Sequence, residues 1–369
     1  MRRRAAALAP VLLALVAPAW AAAADHAPQA ARVQCVTACA GAHRVAPGST
    51  VRWEGRHLAA IKSVRFSAHG GRENVDPTAS RGNFVTARVP RRAVTGRPVL
   101  VGSRGQQTYA KAVLSVVSRH RVLSPNAFGL LHSRARPHTA FFDGHQVRVS
   151  FRFAARGPRD VKVKMVRAST GAVVDSRVLH QVTPFAKHVL RWTGTRGGRS
   201  IAPAGVYEVR IGRPGHKGTH AGHFKLFPFE FPVRGSHSYG GAEQRFGAPR
   251  SGGRVHQGQD VLSPCGTREV AARGGRVQAE GYDPVLYGYW LVIDGRHTRT
   301  DYRYAHLEAP TPVARGRRVR TGQTVGHVGR TGNARTVGCM LHFEEWPRGW
   351  ENGSPIDPLP DLERWDRWS

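Results

Sequence analysis

Apolar and polar residues alternate in short runs along most of this chain. Thr50-Val51-Arg52-Trp53-Glu54 alternates until Gly55 breaks it, and Ser63-Val64-Arg65-Phe66 alternates again. Phe84-Val85-Thr86-Ala87-Arg88-Val89 stops at Pro90, and Val99-Leu100-Val101 stops at Gly102. A period of two sets successive side chains on opposite faces of a strand. Strands recurring about every 8–12 residues between such breaks predict a small sandwich over 25–117. Residues 118–138 carry Ser, Arg, His and Pro without a clear period and read as a linker. A second strand-rich unit is expected over 139–230. There "HQVRVSFRF" aligns Val147, Val149, Phe151 and Phe153, and "DVKVKMVRA" aligns Val161, Val163 and Met165. The run Val206–Ile211 follows the turn residues 202–205. From 231 to 369 the strands shorten: Glu269–Ala272, Gly275–Ala279 and Trp290–Ile293. The fold class expected is mainly β, with 42 Gly and 24 Pro to supply the turns.

The first 24 residues break this pattern. Arg2, Arg3 and Arg4 precede an apolar run from Ala5 to Trp20, and Ala22-Ala23-Ala24 offers small residues before Asp25. That order reads as a secretory leader. A membrane span wants about 20 apolar residues, and this run is shorter and broken by Pro10 and Pro18. No later stretch is apolar enough to span, so the mature chain is expected outside the cytoplasm, secreted or wall-associated, without a transmembrane segment.

Export changes how the cysteines and the charge read. Four cysteines in an oxidising compartment suggest disulfides, most naturally Cys35–Cys39 and Cys265–Cys339. The spacing fits no common zinc knuckle. Lys and Arg number 56 against 24 acids; loss of Arg2, Arg3 and Arg4 with the leader takes the net charge from +32 to +29. Such a charge suits a polyanion. No helix-turn-helix, zinc-finger or ribonucleoprotein pattern is present, and an exported protein rarely meets nucleic acid. An anionic cell-wall polymer or membrane surface is the partner expected. Arginine enrichment from a GC-rich genome explains the same composition, and the sequence leaves both open.

No G-x-S-x-G elbow, P-loop or dinucleotide fingerprint occurs. Nineteen histidines dilute the value of any one. "RVHQGQDV" holds His256 and Asp260 around Gly258. A straight strand would hold them about 13 Å apart, but a glycine can bend the chain and close the gap. Imidazole with carboxylate begins a zinc site. "YRYAHLEAP" sets Tyr302, Tyr304 and His306 on one strand face. "CMLHFEEW" sets Met340, His342 and Glu344 on one face, with His342 among apolar residues. A buried imidazole needs a hydrogen-bond partner or a metal.

Three resemblances follow from longer motifs. "PGSTVRWEGRHLAAIKSVRF" followed by "ARVPRRAVTGRPVLV" resembles IPT/TIG immunoglobulin-like domains, and "RWTGTRGGRSIAPAGVYEVRI" resembles the immunoglobulin-like unit of flagellar-hook capping proteins. Both imply spacer or binding modules. The order H-x-G-x-D, "GTREVAARGGRV", "YAHL", "VRTGQTVGHVGRTGNA" and "LHFE", from about Phe231 to Asp357, closely resembles the lysostaphin-type zinc endopeptidases. That family cuts peptide cross-links of bacterial peptidoglycan. The resemblance implies two immunoglobulin-like β-sandwiches followed by an antiparallel β peptidase domain. It implies Zn²⁺ held by His256, Asp260 and His342, with water in the open position and His306 as the further active-site histidine. The first histidine of the family's H-x-H falls on Met340. A thioether cannot accept a proton near neutral pH, and loss of a general base typically removes about 10²–10⁴-fold in rate. Three readings therefore stand: an active zinc endopeptidase, a non-catalytic wall-peptide binder or hydrolase regulator, and a purely adhesive β protein. Cys339 points away from the site in the strand phase, so a Cys265–Cys339 bridge would staple two metal-bearing segments.

Overall fold

The computed structural model describes residues 27–197 and 200–369; the leader expected over 1–24 lies outside the described residues. As the alternation requires, the chain is mostly β, with 51% strand against 7% helix. The described residues divide into two compact units, 27–33 with 47–117 and 34–46 with 118–197 and 200–369. No helix of the described residues is long and apolar enough to cross a membrane.

In the first unit, Thr50–Glu54 pairs antiparallel with Phe84–Arg88. The strand Ile61–Ala68 lies between Gly71–Val75 and Val99–Gly102. The inward positions of the alternation, Val51, Trp53, Val64, Phe66 and Val85, are buried. Trp53 meets Phe66 edge-on at 6.1 Å.

From Gly129 onward the second unit carries, besides the short pair Thr195–Arg196 and Ser200–Ile201, the strands β1 (Gly129–Arg136), β2 (Thr139–Phe141), β3 (Val147–Ala154), β4 (Arg159–Arg167), β5 (Val173–Val182), β6 (His188–Trp192), β7 (Gly205–Gly212) and β8 (Thr219–Phe227). Sheets β1-β3-β6 and β2-β8-β7-β4-β5 share one core of Phe151, Phe153, Trp192, Tyr207 and Phe224. On β3, Val147, Val149, Phe151 and Phe153 are buried while Arg148 and Arg152 are exposed. β1 occupies a stretch whose sequence shows no period. A register shift between Leu130 and His132 interrupts the alternation there.

The remainder adds β9 (Gln259–Leu262), β10 (Arg268–Val270), β11 (Gly275–Asp283), β12 (Gly288–Gly295), β13 (Thr300–Leu307), β14 (Arg318–Val319), β15 (Thr324–His327), β16 (Met340–Pro347) and helix α1 (Leu359–Asp366). Six strands form an antiparallel sheet in the order β9-β16-β13-β12-β11-β14, and β10 pairs with β15. Ile293, Tyr302, Leu341, Phe343 and Trp365 belong to the core between the large sheet, the small sheet and α1. Fully buried Arg273 ties this part to the preceding sandwich. Its guanidinium lies 4.3 Å from the Phe142 ring and 5.0 Å from Phe229 and donates to the Arg296 carbonyl at 2.9 Å. Asp143 accepts from Arg296 at 2.7 Å.

Candidate metal centre

β16 carries the site because it is the second strand of the sheet, with both faces covered. Leu341 and Phe343 enter the core, and Met340 and His342 line a cleft on the opposite face. Asp260 on β9 is the direct antiparallel partner of His342. His256 lies just before β9, and the chain bends at Gly258 as the spacing required. A Cβ on Gly258 would also stand 2.3 Å from the Phe343 carbonyl oxygen and 3.0 Å from His342 Cε1. The glycine therefore permits close approach of β9 to β16 as well as the bend.

His306 departs from the strand phase. Tyr302 and Tyr304 enter the core, and regular alternation would have sent His306 after them. Instead His306 has φ +63°. The pairing of β12 with β13 slips between Tyr289 and Leu291. The local left-handed residue turns the imidazole into the cleft, with its ring 5.8 Å from that of His342. The three residues do not share a face, because a bulge resets the period.

The donor atoms converge. His256 Nε2 lies 3.1 Å from Asp260 Oδ1, His342 Nδ1 lies 2.8 Å from the same oxygen, and the two nitrogens are 2.9 Å apart. All three residues are buried. The far nitrogens fix the tautomers. His256 Nδ1 donates to the Arg245 carbonyl at 2.8 Å, and His342 Nε2 donates to Glu344 at 2.9 Å. His306 Nδ1 donates to the Thr331 carbonyl at 2.8 Å, leaving its Nε2 bare. In neutral His256 and His342 the inward nitrogens are therefore lone pairs, facing a carboxylate oxygen. Such a set holds together around a cation. The chemistry and burial of these donors fit a divalent metal, and sequence reasoning named each of them.

Electrostatics follow the same geometry. Against its burial, the close contacts of its oxygen with His256 and His342 hold Asp260 well below the usual carboxylate range. Burial alone would lower His342, but Asp260 and Glu344 raise it to about 9. Burial first, and repulsion from His342 next, lowers His306 to about 4, so it is neutral at physiological pH.

Glu344 shares the cleft face with His342, as alternation predicted, but its role was not evident. It accepts from Trp346 Nε1 at 2.6 Å and from Arg303 at 3.1 Å. Arg303 in turn lies against the rings of Tyr287 at 4.5 Å and Trp350 at 5.0 Å. Only the register Arg303↔Glu344 reveals this support, and register is a property of paired strands. The cleft holds about 620 Å³ and is lined also by Arg250, Tyr287, Asn333 and buried Met340. Arg250 stands 3.8 Å from the outer oxygen of Asp260. The bonds Cys35–Cys39 and Cys265–Cys339 are both formed, as paired in the sequence reading.

Part of the chain resembles known proteins. Residues 254–358 match the model of Peptidase family M23. The peptidoglycan DD-endopeptidase ShyC of Vibrio cholerae is 37% identical over 111 residues, covering 30% of this chain and 24% of that protein. The lipoprotein NlpD/LppB homolog of Pseudomonas aeruginosa is 30% identical over 133 residues, covering 36% and 42%. This chain thus spans less than half the length of either relative. The lysostaphin catalytic domain from Staphylococcus simulans is 26% identical at a TM-score of 0.30, covering 35% of this chain and 92% of that domain.

Proposed function

On the premise that the C-terminal domain is a lysostaphin-type domain of Peptidase family M23, we propose that this protein is an extracytoplasmic zinc endopeptidase that hydrolyses peptide cross-links of bacterial peptidoglycan. One observation carries the reading: His256 Nε2, Asp260 Oδ1 and His342 Nδ1 meet within hydrogen-bonding distance while the far nitrogens are already bonded elsewhere. Imidazole and carboxylate are the ligand types of catalytic zinc, which keeps one open position. When bound, zinc supplies Lewis acidity toward the amide carbonyl and lowers the pKa of water.

The chain's own groups divide the remaining work. His256, Asp260 and His342 hold the metal. Glu344 fixes the ring of His342 through Nε2–H, an outer hydrogen bond of the kind that orients metal ligands. His306 presents a bare Nε2 to the cleft and is neutral near pH 7, so it can orient a water and take its proton. Once protonated it becomes a donor to the developing oxyanion. Met340 offers no proton acceptor, so a mechanism on this chain runs through one histidine. Arg250 and Tyr287 line the cleft where a substrate carbonyl or carboxylate would lie.

Met340 also favours a second reading, a wall-peptide binder or hydrolase regulator that keeps the metal without turnover. Metal content of purified full-length protein, read together with amine release from cross-linked peptidoglycan, separates the two. One zinc per chain and new amines, both lost in Asp260→Asn, are the expected results. Zinc without amine release, with release gained by Met340→His, would favour the second reading. A chain that binds no zinc overturns both.

A further inference from the structure

A row of arginines crosses the outer face of the β1-β3-β6 sheet. Arg136 is the direct partner of Arg148, and Arg148 is the direct partner of Arg191. The alternate positions Ala135, Val149 and Leu190 are buried in the core, so the three guanidinium groups stand on the outward face. Neighbouring strands lie about 4.8 Å apart, which puts three cations within about 10 Å. Like charges directly opposite one another on a sheet are destabilising. Yet among the described residues none of the three has an ion-pair partner. The row walls a concavity of about 730 Å³ that Arg320 and His145 also line. The acid there, Glu230, is buried and bonded to Arg234 at 2.9 Å.

We propose that this concavity binds a phosphodiester polyanion of the polyol-phosphate type found in a bacterial wall. Guanidinium forks bind phosphate through paired hydrogen bonds and keep their charge at any working pH. A row at strand spacing meets repeating charges better than a single one. The outward neighbours are Arg134, Ser150, Val189 and Arg152 with its partner His132, so no Phe, Tyr or Trp platform stands among them. Binding of single-stranded nucleic acid normally adds base stacking on such platforms. Half-buried Phe141 lines the concavity, but its ring packs toward Phe227 at 6.4 Å. Arg320 belongs to the C-terminal domain and Arg148 to the sandwich, so a bound polymer touches both and keeps the metal cleft at the wall. The choice of a wall polymer rests on the extracytoplasmic reading above; the binding itself needs no turnover.

The test uses the full chain and a fluorescent glycerol-phosphate oligomer, with polyglutamate and single-stranded DNA of equal charge as competitors. Binding by anisotropy should weaken linearly in log salt. The triple variant Arg136→Gln, Arg148→Gln, Arg191→Gln should lose at least about tenfold in affinity and about two units of salt slope, at ~0.7 per contact. The control triple Arg91→Gln, Arg92→Gln, Arg97→Gln, three exposed arginines of the other unit, should bind as wild type. If the first triple misfolds by circular dichroism, the Arg→Lys triple replaces it. That variant keeps the charge, loses the forks, and should bind more weakly at an unchanged slope. Equal loss in the control, full binding by the Lys triple, or equal competition by polyglutamate or DNA overturns the proposal. A chain inert on peptidoglycan that passes this test loses the hydrolase reading and keeps this site.

Discussion

His342 stands between two carboxylates, Asp260 on Nδ1 at 2.8 Å and Glu344 on Nε2 at 2.9 Å. The inner contact belongs to the proposed metal set, and the outer one fixes the ring. Removing such outer partners typically lowers metal affinity about 10–100-fold. Glu344→Gln should therefore weaken zinc by that factor, since an amide holds the Nε2–H less strongly and leaves buried Arg303 without its counter-charge. Chelator competition measures it, and affinity within about twofold of wild type would contradict the assignment. The next residue shows the opposite fate. Glu345 is pushed up to about 9, by burial first and then by Asp361. The folded state thus keeps a proton that the unfolded chain gives up near its ordinary value of 4.5. The stability this contributes is intact below that value and is lost as pH rises through about 9. Glu345→Gln, neutral throughout, should gain in Tm over wild type as pH climbs across that window, and a constant difference would refute the account. At this scale the candidate ligands were legible because His256, Asp260 and His342 sit in recognisable short motifs, and the structure brings their donor atoms together. Glu344 was visible as a face-mate of His342, yet its purpose depends on Arg303, distant in sequence and brought opposite by pairing.

Elements decide whether those residues meet. β9 and β16 set Asp260 against His342 by register, and Gly258 lets the chain before β9 pass under the Phe343 carbonyl. A methyl group there would sit 2.3 Å from that oxygen, and a backbone carbonyl within a sheet cannot swing aside. Gly258→Ala should cost about 1–3 kcal/mol, as overpacking does, and should part His256 from Asp260. Thermal melting and zinc content should fall together; a stable variant with full zinc would rule the argument out. Sequence alternation found β16 correctly, along with the buried faces of β3 and β4. It failed at His306 because one residue at φ +63° and a slipped pair reverse the period, and neither leaves a mark in composition. It also passed over β1, where the shift between Leu130 and His132 hides the alternation.

At the scale of the whole molecule, two disulfides of unlike reach invite a comparison. Cys35–Cys39 spans a separation of 4 residues, and Cys265–Cys339 spans 74. In the folded chain the longer bridge is local, because Leu262 already pairs with Met340 and Ser263 N–H donates to the Cys339 carbonyl at 3.3 Å. In the unfolded chain it closes a loop that contains β10 through β15. Chain-entropy estimates put the loss at about 4 kcal/mol for that loop and about 2 kcal/mol for the short one. Cys265→Ala with Cys339→Ala should therefore destabilise the C-terminal domain by about 2 kcal/mol more than Cys35→Ala with Cys39→Ala destabilises its own region. Denaturant unfolding of the two double variants, followed by tryptophan fluorescence, measures the difference. The long bridge also adjoins Met340, so its removal frees the strand end that carries the proposed metal face. Zinc affinity should fall with the Cys265 and Cys339 pair and stay unchanged with the Cys35 and Cys39 pair. If both pairs cost the same and zinc follows neither, the longer bridge has no hold on the site, and strand pairing alone keeps β9 and β16 in register.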